Sequence, residues 1–189
     1  MLFSLFLSLA AGDMHSVEKP RDAVPLASAI QTQTLYNAPL KDSAGATVSL
    51  DVYADGRPLA VVVIKGTWCP VCVEEMKRLS DMNRKWAEMD VRIVFLSSDS
   101  IQQLRTFKGH TPLPLPLVSD PGGHYLNALQ MYVPSQSHPY PGVLFFDSCG
   151  QLQHTIKGRR PGRPQHQQIQ NVLKTMRAGP ESCENAPLG

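Results

Sequence analysis

The feature that most constrains this chain is a change of pattern within VVVIKGTWCPVCVEEMKRL, Val61 to Leu79. Upstream, the apolar residues of LAVVVIK (Leu59 to Lys65) are continuous rather than alternating, which predicts a central strand covered on both faces. From Pro70 onward the period changes: Cys72, Met76, Leu79, Met82, Trp86 and Met89 follow at steps of three or four. Glu74, Glu75, Lys77, Arg78, Asp81, Arg84 and Lys85 occupy the other faces, so the spacing predicts one amphipathic helix of about five turns. A buried strand running directly into a helix belongs to an α/β architecture. Two thiols, Cys69 and Cys72, stand at the junction.

The rest of the chain extends this frame. VRIVFLSS (Val91 to Ser98) predicts a second strand, and Ser100 to Lys108 a second helix. HTPLPLPLVSDPGG breaks helix and forms a connecting loop with a short extended piece, and HYLNALQMY predicts one short helix. GVLFFD and QLQHTIKG form two strands around the turn Asp147-Ser148-Cys149-Gly150, and Ile169, Val172, Leu173 and Met176 mark the buried face of a last helix. Ahead of Leu59, LYNAPLKDSAGATVSLDVYADGRP holds β-prone pieces around two turn sequences, which predicts a small N-terminal hairpin. The order β-α-β-α followed by β-β-α implies a mixed sheet, parallel at first and closing in an antiparallel hairpin, flanked by helices.

A chain of 189 residues with 42% hydrophobic content suits one domain with its own core, expected over residues 35–178. Residues 13–34 are polar and aperiodic and read as a linker, and 179–189 as a flexible tail. The net charge of +2 gives no footprint for nucleic acid. MLFSLFLSLAAG is too short to span a bilayer, which needs roughly 20 residues, so no stable membrane insertion is expected. It fits the apolar core of a secretory signal over residues 1–12, cut after Ser8-Leu9-Ala10, although the usual basic residues ahead of it are missing. The expectation is export to a periplasmic or extracellular compartment, with the cytoplasm as the alternative.

Three roles are open to the cysteine pair. A disulfide closing so short a loop removes little entropy from the unfolded chain and is a poor staple. A structural zinc site needs four ligands, whereas Cys149 and Cys183 stand alone and the six histidines are scattered. Redox chemistry fits best. Pro70 suits the first position of the helix, which makes Cys69 its cap, facing unpaired backbone N–H groups and the positive end of the helix dipole. A thiolate is stabilised there, so Cys69 is the expected nucleophile. Cys72, one turn inside and more shielded, is the expected resolving thiol. Neither a metal nor an organic cofactor is required. Cys149 and Cys183 read as incidental thiols that an oxidising compartment could pair. Arg159, Arg160 and Arg163 read as a solvated loop.

At these residues the chain resembles the thioredoxin superfamily, in the branch shared by thiol-disulfide oxidoreductases and the alkyl hydroperoxide reductase/peroxiredoxin (redoxin) group. NAPLKDSAGATVSL is similar to that branch's entry segment, VVVIKGTWCPVC to its active-site strand and turn, and LVSDPGGHYLNALQMY to its later loop and helix. The resemblance implies a thioredoxin-like fold with the hairpin as an N-terminal extension. YPGVLFFDSCGQL resembles the segment in which the superfamily places a cis-proline beside the active site, which implies a cis Tyr140-Pro141 bond facing Cys69, with Trp68, Tyr140 and Pro141 binding substrate. The peroxidatic signature PxxxTxxC is not met, because Val62 and Gly66 stand where Pro and Thr belong. The Arg that peroxiredoxins carry before the last strands is replaced by His138-Pro139-Tyr140, and the buried Asp of typical thioredoxins by Val63. The expected function is therefore thiol-disulfide exchange with protein or small-molecule thiols and an external redox partner. The alternatives are a divergent, antioxidant thiol peroxidase and a non-catalytic thioredoxin-like binding module or metal carrier.

Overall fold

The computed structural model describes residues 34–158 and 166–176. The expected signal, the linker up to residue 33, the arginines 159, 160 and 163, Cys183 and the tail lie outside the described residues. The elements, in chain order, are β1 (Leu40–Asp42), β2 (Thr47–Val48), α1 (Leu50–Ala54), β3 (Leu59–Val63), α2 (Pro70–Asp81) and α3 (Asn83–Glu88). They continue with β4 (Arg92–Ser97), α4 (Ile101–His110), β5 (Leu117–Ser119), α5 (His124–Ala128), β6 (Tyr132–Val133), β7 (His138–Pro139), β8 (Gly142–Phe146), β9 (Leu152–Lys157) and α6 (His166–Met176).

Seven strands form one mixed sheet in the order β2-β1-β5-β4-β3-β8-β9. β3, β4 and β5 run parallel, while β8 and β9 add to β3 as an antiparallel pair. β1 joins β5 antiparallel and brings the expected β1–β2 hairpin to the edge. Strand alternation divides the apolar run of β3 between two cores, which explains why that run is unbroken. Ala60, Val62 and Ile64 meet Ile93, Phe95, Val143, Phe145 and the apolar faces of α2 and α6. Leu59, Val61 and Val63 face the opposite core with Val94, Leu96, Leu144, Phe146, Leu50 and Leu126. Among the described residues no helix is long and apolar enough to cross a membrane.

Three local expectations are corrected. The predicted five-turn helix is two helices that meet at Met82, whose carbonyl accepts from both Lys85 and Trp86 N–H groups. The tightened turn directs Trp86 into the core, where it is buried. LDVYA, inside a segment read as β-prone, is helical because Leu50 and Ala54, one turn apart, are both buried. The helix expected over HYLNALQMY stops at Ala128. There Met131 N–H returns to Leu126 O (2.7 Å) and Gln130 N–H to Asn127 O (2.9 Å), with Gln130 at φ 56°. That is a Schellman stop built on a residue other than glycine. It frees Tyr132 to pair with Pro139 in the small β6–β7 ladder.

Candidate active site

The two free thiols lie beyond the C-terminal end of β3, where chain crossovers of an open α/β sheet leave a crevice. Cys69 is the N-cap of α2, with extended backbone (φ −91°, ψ 108°), and Pro70 is the first helical residue. The Cys72 N–H donates to the Cys69 sulfur over 3.3 Å, and the Val73 N–H to the Cys69 carbonyl over 3.0 Å. The cap assignment made from Pro70 is therefore met in geometry.

The thiols differ in surroundings. Cys72 is almost fully enclosed. Its burial, then its hydrogen bond to Cys69, push its thiol from the ordinary 9.0 up to about 12, while backbone hydrogen bonds from Lys65 and Gly66 work in the opposite direction. Cys72 therefore holds its proton at neutral pH and presents it to the Cys69 sulfur. Both sulfurs are largely covered, yet the rim is not. Among the described residues four large hydrophobic side chains are exposed, and three of them, Trp68, Val71 and Tyr140, belong to the cysteine turn or the β7–β8 junction. The Trp68 ring lies 6.5 Å from the His138 ring, which joins the two segments across the crevice. Lys157 Nζ sits 5.8 Å from the centre of the Tyr140 ring.

The cis bond expected at Tyr140-Pro141 is not formed; all peptide bonds among the described residues are trans. The cause is the path of the chain. Tyr140 N–H donates to Met131 O (2.9 Å), prolonging the β6–β7 ladder, and Gly158 N–H donates to Pro141 O (2.7 Å), prolonging the β8–β9 ladder. These two hydrogen bonds hold the chain on either side of the Tyr140-Pro141 bond in register with both ladders. Of the residues expected to bind substrate, Tyr140 thus has its N–H already engaged, and Pro141 is buried.

Several residues escaped the sequence reading. Glu75, placed there on the solvated side of the helix, is buried one turn after Cys72 and accepts from Arg78 Nη2 at 2.7 and 2.5 Å. Asp99, just past β4, is buried and its Oδ2 accepts from the Thr67 N–H over 2.6 Å. Its place at the end of a strand parallel to β3 was the available signal, since that edge of the sheet forms the crevice. Gly66 permits a close approach: a Cβ there would stand 2.2 Å from Trp68 Nε1 and 2.9 Å from Asp99 Oδ1. Cys149, read as an incidental thiol that an oxidising compartment could pair, is disulfide-bonded.

Comparison with known proteins bears on the family and the fold. The family model described as "AhpC/TSA family" matches residues 32–155. The thiol-disulfide oxidoreductases ResA of Bacillus thuringiensis and Bacillus cereus are each 26% identical over 110 residues, 58% of this chain. The match likewise spans 58% of those relatives' length. Among solved structures, the peroxidoxin BcpB of Mycobacterium tuberculosis superposes with a TM-score of 0.64 at 19% identity, covering 76% of this chain and 94% of that one. AhpC of the same organism gives 0.60 at 18% identity, covering 70% and 80%. At these identities the structural likeness establishes the thioredoxin-like fold, as the redoxin branch has it.

Proposed function

Because the chain belongs to the AhpC/TSA family, we propose that it is a thiol-disulfide oxidoreductase whose redox pair is Cys69 and Cys72. The observation that carries the reading is the asymmetry of two adjacent thiols: one caps a helix and accepts hydrogen bonds, the other is enclosed and protonated. The Cys69 thiolate attacks one sulfur of a substrate disulfide. A mixed disulfide forms, and the displaced substrate sulfur leaves as a thiolate that takes up a proton. Cys72 then gives up its proton and attacks the Cys69 sulfur, releasing the second substrate thiol and closing the Cys69–Cys72 disulfide. Two electrons pass from the dithiol to the substrate, and an external dithiol restores the reduced pair. Oxidised protein meeting a substrate dithiol runs the same steps backwards.

The exposed side chains of Trp68, Val71 and Tyr140 favour a polypeptide substrate, because small thiols need no apolar rim. Docking is assigned to these side chains, and the Tyr140 backbone is left out because its N–H is occupied. Equilibration with a glutathione redox buffer tests the proposal. A two-electron couple that peptide mapping assigns to Cys69 and Cys72, separate from the disulfide at Cys149, should titrate in the native chain and vanish in both Cys69→Ser and Cys72→Ser. Independent thiols that never form the Cys69–Cys72 disulfide would refute it.

A further inference from the structure

Asp99 is the buried carboxylate nearest in hydrogen-bond terms to the cysteine turn, and the thiol-exchange steps make no use of it. Its backbone is fixed from two strands. The Asp99 N–H donates to Ser97 Oγ of β4 (3.0 Å), and Ser119 Oγ of β5 donates to the Asp99 carbonyl (2.5 Å). The Asp120 N–H adds a bond to Ser97 O (2.8 Å). From this anchor the carboxylate reaches across to the loop that follows β3 and takes the Thr67 N–H at 2.6 Å. The ends of three parallel strands are thereby tied in series, β5 to β4 to the turn that leads into Cys69.

What the turn carries gives the tie its consequence. The Cys69 N–H closes back onto Gly66 O (3.2 Å), so the position of the helix-capping sulfur depends on Gly66. The backbone of Lys65 and Gly66 also hydrogen-bonds Cys72. The Trp68 indole lies against Gly66, on which Asp99 Oδ1 also closes. One loop of three residues therefore sets where both sulfurs and the indole sit, and a single side chain holds that loop to the sheet.

We propose that Asp99 is a positioning residue for the Cys69–Cys72 pair, acting as the acceptor that locks the Gly66–Thr67 turn. The proposal rests on the reading of that pair as a redox couple. Without the acceptor the half-buried Thr67 N–H loses its partner and the turn relaxes away from the sheet. The balance between dithiol and disulfide then shifts, because the turn holds the dithiol arrangement, bonding the Cys69 N–H and the Cys72 thiol, and its release acts on that state.

The test compares Asp99→Asn, Asp99→Leu and Asp99→Ser in the full chain. Asn keeps an oxygen within reach of Thr67; Leu fills the space without an acceptor; Ser is too short to reach and is read in place of Leu if that variant does not fold. Three quantities are measured: kcat and KM for reduction of a disulfide-bonded polypeptide such as insulin, the equilibrium constant of the couple against glutathione, and the thermal midpoint. Leu and Ser should lower kcat by about tenfold with KM little changed, as misplacement of a reacting group does. They should also move the equilibrium constant by about tenfold, which is about 30 mV for two electrons. Asn should recover most of both. Variants that lower only the thermal midpoint, or an Asn variant no better than Leu, would overturn the assignment. A native chain in which Cys69 and Cys72 form no redox couple would instead refute the proposed function, so the two failures are distinguishable.

Discussion

The Cys72 N–H donates to the sulfur of Cys69 across 3.3 Å, so the residue proposed to resolve the mixed disulfide itself supplies part of the helix-end environment of the proposed nucleophile. The burial of Cys72 keeps its own thiol protonated to about 12. At neutral pH, Cys69 should therefore be alkylated by iodoacetamide and Cys72 spared. Cys72→Ser should trap mixed disulfides with polypeptide partners, while Cys69→Ser should trap none. Peptide mapping after partial alkylation reads the order directly, and modification of Cys72 first would reverse the roles.

The same protonation predicts a response to alkali. The folded thiol of Cys72 is raised above its unfolded value of 9.0, so the folded state holds a proton that the unfolded state has released. The stability this provides is fully present below about pH 9 and is lost as pH rises towards 12. Tyr36, raised from 10.0 to about 12 mainly by burial, acts in the same direction over the upper part of that window. Urea unfolding of the reduced protein at pH 8 and pH 10.5 should show the loss, and Cys72→Ser should show less of it. Equal pH dependence in both proteins would contradict the assignment.

Gly66 stands where the peroxidatic signature has threonine, and the structure gives that departure a steric meaning. A Cβ at this position would fall 2.2 Å from Trp68 Nε1, inside any van der Waals contact. Gly66→Thr should therefore displace the indole, change tryptophan emission and slow disulfide reduction, without raising peroxide turnover. Unchanged emission with intact activity would show that the indole does not rest on Gly66.

The start of β8 makes a second close approach. A Cβ on Gly142 would stand 2.2 Å from the Ile156 carbonyl oxygen, where β8 pairs with β9 beside the cysteine turn. Gly142→Ala should cost about 1–3 kcal/mol of stability, as overpacking does. Denaturant melting measures it, and a neutral result would mean that the two strands separate at no cost.

Much of the fold could be read from periodicity, because burial enforces it. The unbroken apolar run of β3 reports two cores, and Pro70 fixes the start of α2 to the residue. Side chains whose partners come from distant sequence were hidden. Asp99 and Thr67 are 32 residues apart, and no local spacing announces their hydrogen bond. Glu75 reads as solvated because its neighbours in sequence are charged, yet Arg78 allows it to be buried. The trans Tyr140-Pro141 bond was misjudged for a related reason. It follows from two ladders, through Met131 and Gly158, that the family pattern around the proline does not encode.

Disulfide exchange rather than peroxide reduction is the central claim, and one competition measures it most directly. Reduced protein is mixed with insulin or with hydrogen peroxide, and oxidation of the Cys69–Cys72 pair is followed by stopped-flow tryptophan fluorescence. Trp68, adjacent to Cys69 and exposed at 61%, supplies the signal. The account predicts that insulin oxidises the pair at a rate abolished by Cys69→Ser, while peroxide reacts no faster than with an ordinary thiolate. Rapid oxidation by peroxide with no measurable reduction of insulin would contradict it.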